Sequence, residues 1–373
     1  MIVCASPLDP APEPLPGIST DIHPGEEASH QRAMPLARLI SGGMRSDDAH
    51  ALHALSDAGV GWLAAGRWLG ERNVRIALHA DSDTTARIFH RYAAAAFRFA
   101  QGAIAMDDDN KRALHAQSVR HYGDAARLEV HPIERHEIAW RTGRLAGWLV
   151  RPEGARADMP IVILFGGFDG WREEYHAGAV ALAKRGVAAY LTDLPGQGEA
   201  RLRDTLFLDE NYVAALGTIA DHLSALPGIA GRVGLWGNSV GGYLAARAAG
   251  EDHRFAAVCV NGGSARPMEL PERHPRFLAK VEALTGTAER HVIDRAMAPL
   301  SPDWLSARLR CPLLQLHGAP DAVFLLENAR VIHDAAASTD KRLMIWDDGD
   351  HCLYNHADER NAAAADFFAT RLV

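Results

Sequence analysis

Apolar and polar positions recur along this chain with two different periods. From about residue 35 to 125 there is no run of alternating β-branched residues, and apolar positions return at helical spacing. In DSDTTARIFHRYAAAAFRFAQGAIAM (81–106), Ile88, Tyr92, Ala95, Phe99 and Ala103 share one face, Arg87, Arg91 and Arg98 fall on an expected solvated side, and Asp83 is placed to cap the start. A second helix is expected after DDDN, whose acids suit the positive end of the helix dipole, running through KRALHAQSVRHY. After residue 126 the pattern changes to short apolar runs: RLEVHPI, RLAGWLVRP, PIVILFGG, GVAAYLTD, RVGLWG, FAAVCVNG, CPLLQLHG and RLMIW. The middle runs are nearly continuous, as in strands buried on both faces, and helix-length segments such as NYVAALGTIADHLSAL separate them. The pattern predicts an α/β fold: a mostly parallel, eight-stranded, doubly wound sheet. The expected division is a proline-rich arm over 1–34, a helical domain over 35–125 and an α/β domain over 126–373.

Composition narrows the function classes. The chain has 373 residues and a formal net charge of −8, with no block of Lys or Arg to track phosphates, so nucleic acid is not an expected partner. No apolar stretch approaches the roughly 20 residues of a membrane span. The start, MIVCASPLDPAPEPLPG, lacks the basic and apolar regions of a signal peptide and reads as an arm, either loose or laid along a neighbouring subunit. Cys4, Cys259, Cys311 and Cys352 are far apart, without CxxC spacing, which favours reduced thiols and a cytoplasmic location. His50 with His53, or His115 with His121, form no HExxH motif or Cys/His cluster, so neither metal nor cofactor is expected. FGGFDG lacks the GxGxxG pattern of a dinucleotide site.

Chemistry concentrates at three strand ends. RVGLWGNSVGGYLAARAAG satisfies G-x-S-x-G between an expected strand and an expected helix, the context in which this turn exposes a serine. Gly237 and Gly241 leave room for a sharp turn at Ser239, and the helix from Val240 aims backbone N–H groups at the same spot. A serine hydroxyl is a poor nucleophile at neutral pH and needs a base and an acid to orient that base. CPLLQLHGAPDAVF supplies Asp321 after one strand, and RLMIWDDGDHCLYNH supplies His351 after the last; Asp348 and Asp350 are rival acids. Oxyanion donors are expected at the Gly-Gly turn of PIVILFGGFDGW, from the N–H of Phe168 or Gly167 together with Val240.

These residues resemble the α/β-hydrolases, and within them the branch of 2,6-dihydroxypseudooxynicotine hydrolase and the fungal polyketide-shortening pigment hydrolases. FGGFDGWREEYHAGAVALAKRGVAAYLTDLPGQGEA is similar to that branch's Gly-Gly-x-Asp loop, double-glutamate step and D-x-P-G-Q-G-E turn, with Leu194 where many relatives have glycine. RYAAAAFRFAQGAIAMDDDNKRALHAQSVRHYGDAA resembles its N-terminal helical cap. The resemblance implies a cap over the active site, a Ser239, Asp321 and His351 triad, a small-molecule acyl substrate and a homodimer. Relatives in the branch cleave a carbon–carbon bond beside a ketone, and others act on esters. Glu269, Glu173 and Tyr92 are candidate substrate contacts, with a surface role as the alternative for Glu269 and loop bracing expected of Glu173 or Glu174. The competing functions are an ordinary carboxylesterase or thioesterase and a non-catalytic binding protein on the same scaffold.

Overall fold

The computed structural model describes residues 30–31, 33–154 and 157–372; the proline-rich arm expected over 1–34 lies almost wholly outside them, as does Cys4. The chain divides into two compact units, one ending at Val130 and the other beginning at His131.

The first unit is built from helices α1 (Leu36–Ser41), α2 (Ser46–Asp57), α3 (Trp62–Leu78), α4 (Asp83–Gln101) and α5 (Asp109–Ala126). Helix α4 packs against both α3 and α5. Its alanine run, Ala93–Ala96, and the glycines facing it from α3 permit that double contact: a Cβ at Gly66 would lie 2.8 Å from Ala100 Cβ, and one at Gly70 would lie 2.7 Å from the Phe97 ring. This central position corrects one expectation. Arg98 is buried, donating to the Gly42 carbonyl with its guanidinium 4.8 Å from the Phe99 ring centroid, because a helix with two neighbours has no fully solvated face at that level. Arg87 and Arg91 pair with Glu129. The cap of α4 is Ser82, whose oxygen accepts from the Thr85 N–H at 3.2 Å, rather than Asp83; Asp108 caps α5 through the Lys111 N–H at 2.8 Å.

The second unit holds an eight-stranded sheet of β1 (Ile133–Trp140), β2 (Gly143–Val150), β3 (Met159–Phe165), β4 (Ala188–Thr192), β5 (Ile229–Asn238), β6 (Phe255–Asn261), β7 (Leu313–Gly318) and β8 (Lys341–Trp346). The order is β1-β2-β4-β3-β5-β6-β7-β8, with β2 antiparallel to both its neighbours and every other pair parallel. The first strand is not RLEVHPI but IERHEIAW: an edge strand keeps Glu134, Arg135 and Glu137 in solvent, so it lacks the apolar run that marks the inner strands. Alternation along β5 sorts the two faces. Trp236 meets Gly178 of α6 (His176–Ala183) and Phe368 of α8 (Ala357–Arg371), while Leu235 joins the opposite core with Tyr212 and Leu216 of α7 (Tyr212–Ser224).

A buried arginine ties the loops at the strand ends. Arg172, in the 3-10 turn Arg172–Tyr175, is fully buried and meets three carboxylates: Glu173 at 2.7 Å, Asp193 after β4 at 3.3 Å, and Glu199 of the Gly198–Leu202 turn. It also donates to the Ala146 carbonyl of β2 at 3.1 Å. Burial opposes ionisation of Glu199, yet Arg172 and Arg135 outweigh it and hold the carboxyl down to about 2; burial lifts Asp193 to about 6. An arginine suits this site because its planar fork can serve several carboxylates at once. Arg172→Met would leave buried carboxylates unpaired, and a loss of about 3–5 kcal/mol in denaturant unfolding is expected; an unchanged midpoint would contradict the assignment.

Candidate active site

The turn between β5 and the helix Val240–Glu251 forces Ser239 into a backbone conformation that L-residues rarely adopt, φ 59° and ψ −131°. Two glycines make room for it. A Cβ at Gly237 would overlap the Gly241 carbonyl, and one at Gly241 would overlap the Gly166 carbonyl at the end of β3. The Ser239 N–H is held by the Asn261 carbonyl at 2.9 Å. The result is a serine at the C-terminal edge of the sheet, at the start of a helix.

His351 and Asp321 converge on it from the loops after β8 and β7. Ser239 Oγ lies 2.9 Å from His351 Nε2, and His351 Nδ1 lies 2.8 Å from Asp321 Oδ2. A carboxylate only accepts, so Nδ1 carries a proton, and in the neutral ring Nε2 accepts from the serine hydroxyl. Burial alone would lower the pKa of His351, but the Asp321 carboxylate outweighs it and raises the ring well above its ordinary value. Asp321 is buried, which opposes ionisation, yet His351 holds its carboxyl below the ordinary range. Its other oxygen, Oδ1, accepts from the Val323 and Phe324 N–H groups. The rival acids face elsewhere: Asp350 caps the turn of His351–His356 through the Tyr354 and Asn355 N–H groups, and exposed Asp348 meets His356 at 2.8 Å.

The Gly-Gly turn lies against the same serine. A Cβ at Gly167 would stand 2.8 Å from Ser239 Cβ, so only glycine allows this approach. Buried Gln197 fixes the turn's orientation, donating from Nε2 to the Gly166 and Gly167 carbonyls at 2.7 and 2.9 Å, while its Oε1 accepts from the Leu194 N–H at 3.0 Å. Among the described residues no acceptor takes the N–H of Phe168 or Val240. A hydroxyl aligned with a base, an oriented acid and nearby unclaimed amides can carry out nucleophilic acyl transfer.

The candidate substrate contacts fare differently. Glu173 is wholly buried behind the turn, accepting from Arg172 Nε and Trp148 Nε1; it braces the loop and is sealed from any substrate. Glu269 is not a surface residue: it is buried, and its Oε2 accepts from Asn328 Nδ2 at 2.7 Å and the Leu325 N–H at 3.4 Å, beside the acid loop. Tyr92 lies on α4 of the first unit, edge-on to Phe89. Three positions escaped sequence reasoning. Besides Gln197, Asn261 donates to Asn238 Oδ1 at 2.8 Å and the Cys352 carbonyl at 3.1 Å, joining the elbow to the histidine loop. His317 donates to the Phe324 carbonyl at 2.9 Å and stands 3.7 Å from Asp321. Gln197 was visible within DLPGQGE; Asn261 and His317 sit inside apolar strand runs, where a single polar letter carries no signal. Cys259, Cys311 and Cys352 form no disulfide, and burial pushes the Cys311 thiol up to about 12. No helix among the described residues is long and apolar enough to cross a membrane.

An eight-stranded sheet with this order, a strained serine after β5, and acid and base after β7 and β8 define a class. The sequence profile of the alpha/beta hydrolase family matches residues 161–371, and the chain belongs to that family. Within it, the chain is 29% identical over 256 residues to 2,6-dihydropseudooxynicotine hydrolase of Paenarthrobacter nicotinovorans, covering 66% of this chain and 67% of that protein. The hydrolyase poxO of Penicillium oxalicum is 30% identical over 147 residues, a match that spans 37% of this chain and 33% of that one. The crystal structure of 2,6-dihydroxy-pseudo-oxynicotine hydrolase superposes with a TM-score of 0.80 at 25% identity, over 91% of this chain and 96% of the other. AbyA5, at 19% identity and a TM-score of 0.70, shares the fold.

The strain at Ser239 resides in its Cβ, so two truncations separate it from the lost hydroxyl. Ser239→Gly is expected to unfold with about 1 kcal/mol more stability than Ser239→Ala, the relief of strain exceeding glycine's entropy cost. Thermal melting of the pair checks this; an alanine variant as stable as the glycine one would contradict it.

Proposed function

We propose that this protein is a serine hydrolase acting through an acyl-enzyme on a ketone-bearing acyl substrate, cleaving a carbon–carbon bond beside the ketone or an ester of such an acyl group. The observation that carries the proposal is the unbroken relay from Ser239 Oγ through His351 to Asp321, set against a glycine turn with free amides. The likeness of the FGGFDGWREEY and DLPGQGE segments to the branch named above supports the substrate class, as do the relatives with hydrolase names.

In this mechanism Ser239 Oγ attacks the substrate carbonyl as its proton passes to His351 Nε2. The tetrahedral oxyanion sits on the Phe168 and Val240 N–H groups, each such donor contributing about 3 kcal/mol. Collapse breaks the bond to the leaving group, an alkoxide from an ester or an enolate from a 1,3-diketone, and His351 returns the proton to it. Water, deprotonated by the same imidazole, then releases the acid and restores the serine. Asp321 holds the imidazole in the required tautomer and stabilises its charge.

The neutral imidazole is the active form, and Asp321 raises its pKa. Asp321→Asn is therefore expected to cut kcat roughly a thousandfold or more while moving the acidic limb of the kcat/KM profile to lower pH. A limb that stays in place would exclude the pair. Turnover of a 1,3-diketone compared with a short p-nitrophenyl ester tests the substrate class: cleavage of the diketone, lost in Ser239→Ala, is expected. Fast ester turnover with an inert diketone would assign an ordinary carboxylesterase instead, and inertness toward both would favour a binding protein.

A further inference from the structure

The first unit contains a second chemical grouping, made by two helices. His90 of α4 and His121 of α5 are both buried, their rings stacked at 13° with centroids 5.3 Å apart. Their Nδ1 atoms face each other at 3.2 Å. Asp124, one turn along α5, brings Oδ2 to 3.5 Å from His121 Nδ1, and one ligand atom from each of the three residues lies within 4.8 Å of the others. Arg127 donates to the other oxygen, Oδ1, which fixes the carboxylate and leaves Oδ2 turned toward the histidines.

The 3.2 and 3.5 Å separations are close to those of neighbouring ligand positions in a metal polyhedron. Zinc–nitrogen and zinc–oxygen bonds of about 2.0–2.2 Å place neighbouring ligand atoms of a tetrahedron about 3.3–3.6 Å apart. All three residues line one solvent-open cavity of about 890 Å³ between α3, α4 and α5, so positions beyond three protein ligands would face a space large enough for water or a small molecule. Phe97 also stacks on His121, with ring centroids 5.8 Å apart. Arg67, Arg75, Arg120 and Arg127 also line the cavity and disfavour a cation there; Glu71, paired with Arg67, and Asp124, paired with Arg127, oppose them.

We infer that His90, His121 and Asp124 form a binding site for a divalent transition metal such as zinc, with open coordination toward the cavity of the helical unit. Sequence spacing hides it, because His90 and His121 are 31 residues apart and His121 with Asp124 alone is a common helical pair. The site shares no residue with Ser239 and its partners.

The test uses the full chain stripped with a chelator and dialysed. Titration with Zn²⁺ in a calorimeter is expected to give one equivalent bound in the micromolar range, with a zinc-dependent rise in melting temperature. Co²⁺ in place of zinc should give the visible absorption of a low-coordinate N/O site. His90→Gln and Asp124→Asn should each weaken binding at least tenfold, and the double variant should abolish the melting shift; their melting in chelator provides the folding control. Ser239→Ala should bind zinc as the parent does. Absence of zinc binding in the parent, or a shift that survives in a folded double variant, would overturn the inference and leave His90 and His121 as a plain hydrogen-bonded pair.

Discussion

At the centre of the site two stretches of backbone meet with no side chain between them. The Gly166-Gly167 turn after β3 lies against the elbow after β5, with Gly241 against the Gly166 carbonyl and Gly167 against Ser239. Sheet order makes the meeting possible, since β3 and β5 are parallel neighbours and Phe165 pairs with Gly237 at their shared end. Ser239 remains in a costly conformation because its surroundings over-determine it: its N–H is pinned by Asn261, and the helix that starts at Val240 has no room to shift. Everything proposed about the chemistry follows from that approach, which brings the Gly-Gly turn against the serine side chain.

The supports are polar and buried, which makes the geometry specific. Gln197 turns the Gly166 and Gly167 carbonyls toward itself and so fixes the orientation of the turn. Arg172 links the 3-10 turn after the glycines to β2, to Asp193 and to Glu199, so the DLPGQGE segment that carries Gln197 is held by the same cluster as the loop that Gln197 orients. On the other side, the Asn238–Asn261–Cys352 relay couples the elbow to the histidine loop, whose backbone at Cys352 and Leu353 is left-handed, φ 60° and 56°. Low dielectric strengthens each of these bonds and makes each costly to break singly.

Much of this was legible in the letters. Continuous apolar runs marked the inner strands, and G-x-S-x-G with Asp321 and His351 at two later strand ends pointed to three side chains that the fold brings within hydrogen-bonding distance. What was illegible has physical causes. The edge strand β1 is half solvated and keeps charges, so IERHEIAW carries no hydrophobic run. Arg98 read as a surface residue because periodicity describes one helix face and cannot report a second neighbour. Glu269 read as a pocket or surface residue because loop position says nothing about which way a carboxylate turns, and it is spent on holding the acid loop; the loop bracing expected of Glu173 or Glu174 is what Glu173 does. The His90, His121 and Asp124 grouping needed two helices to be placed side by side before it existed at all.

The central claim is that Ser239 is a nucleophile made reactive by this frame. Reaction of the full chain with a fluorophosphonate, followed by intact mass and peptide mapping, tests it most directly. The account predicts one adduct per chain, on Ser239, lost in Ser239→Ala and strongly slowed in His351→Ala. No adduct on the folded protein, or an adduct that persists when Ser239 is removed, would contradict it.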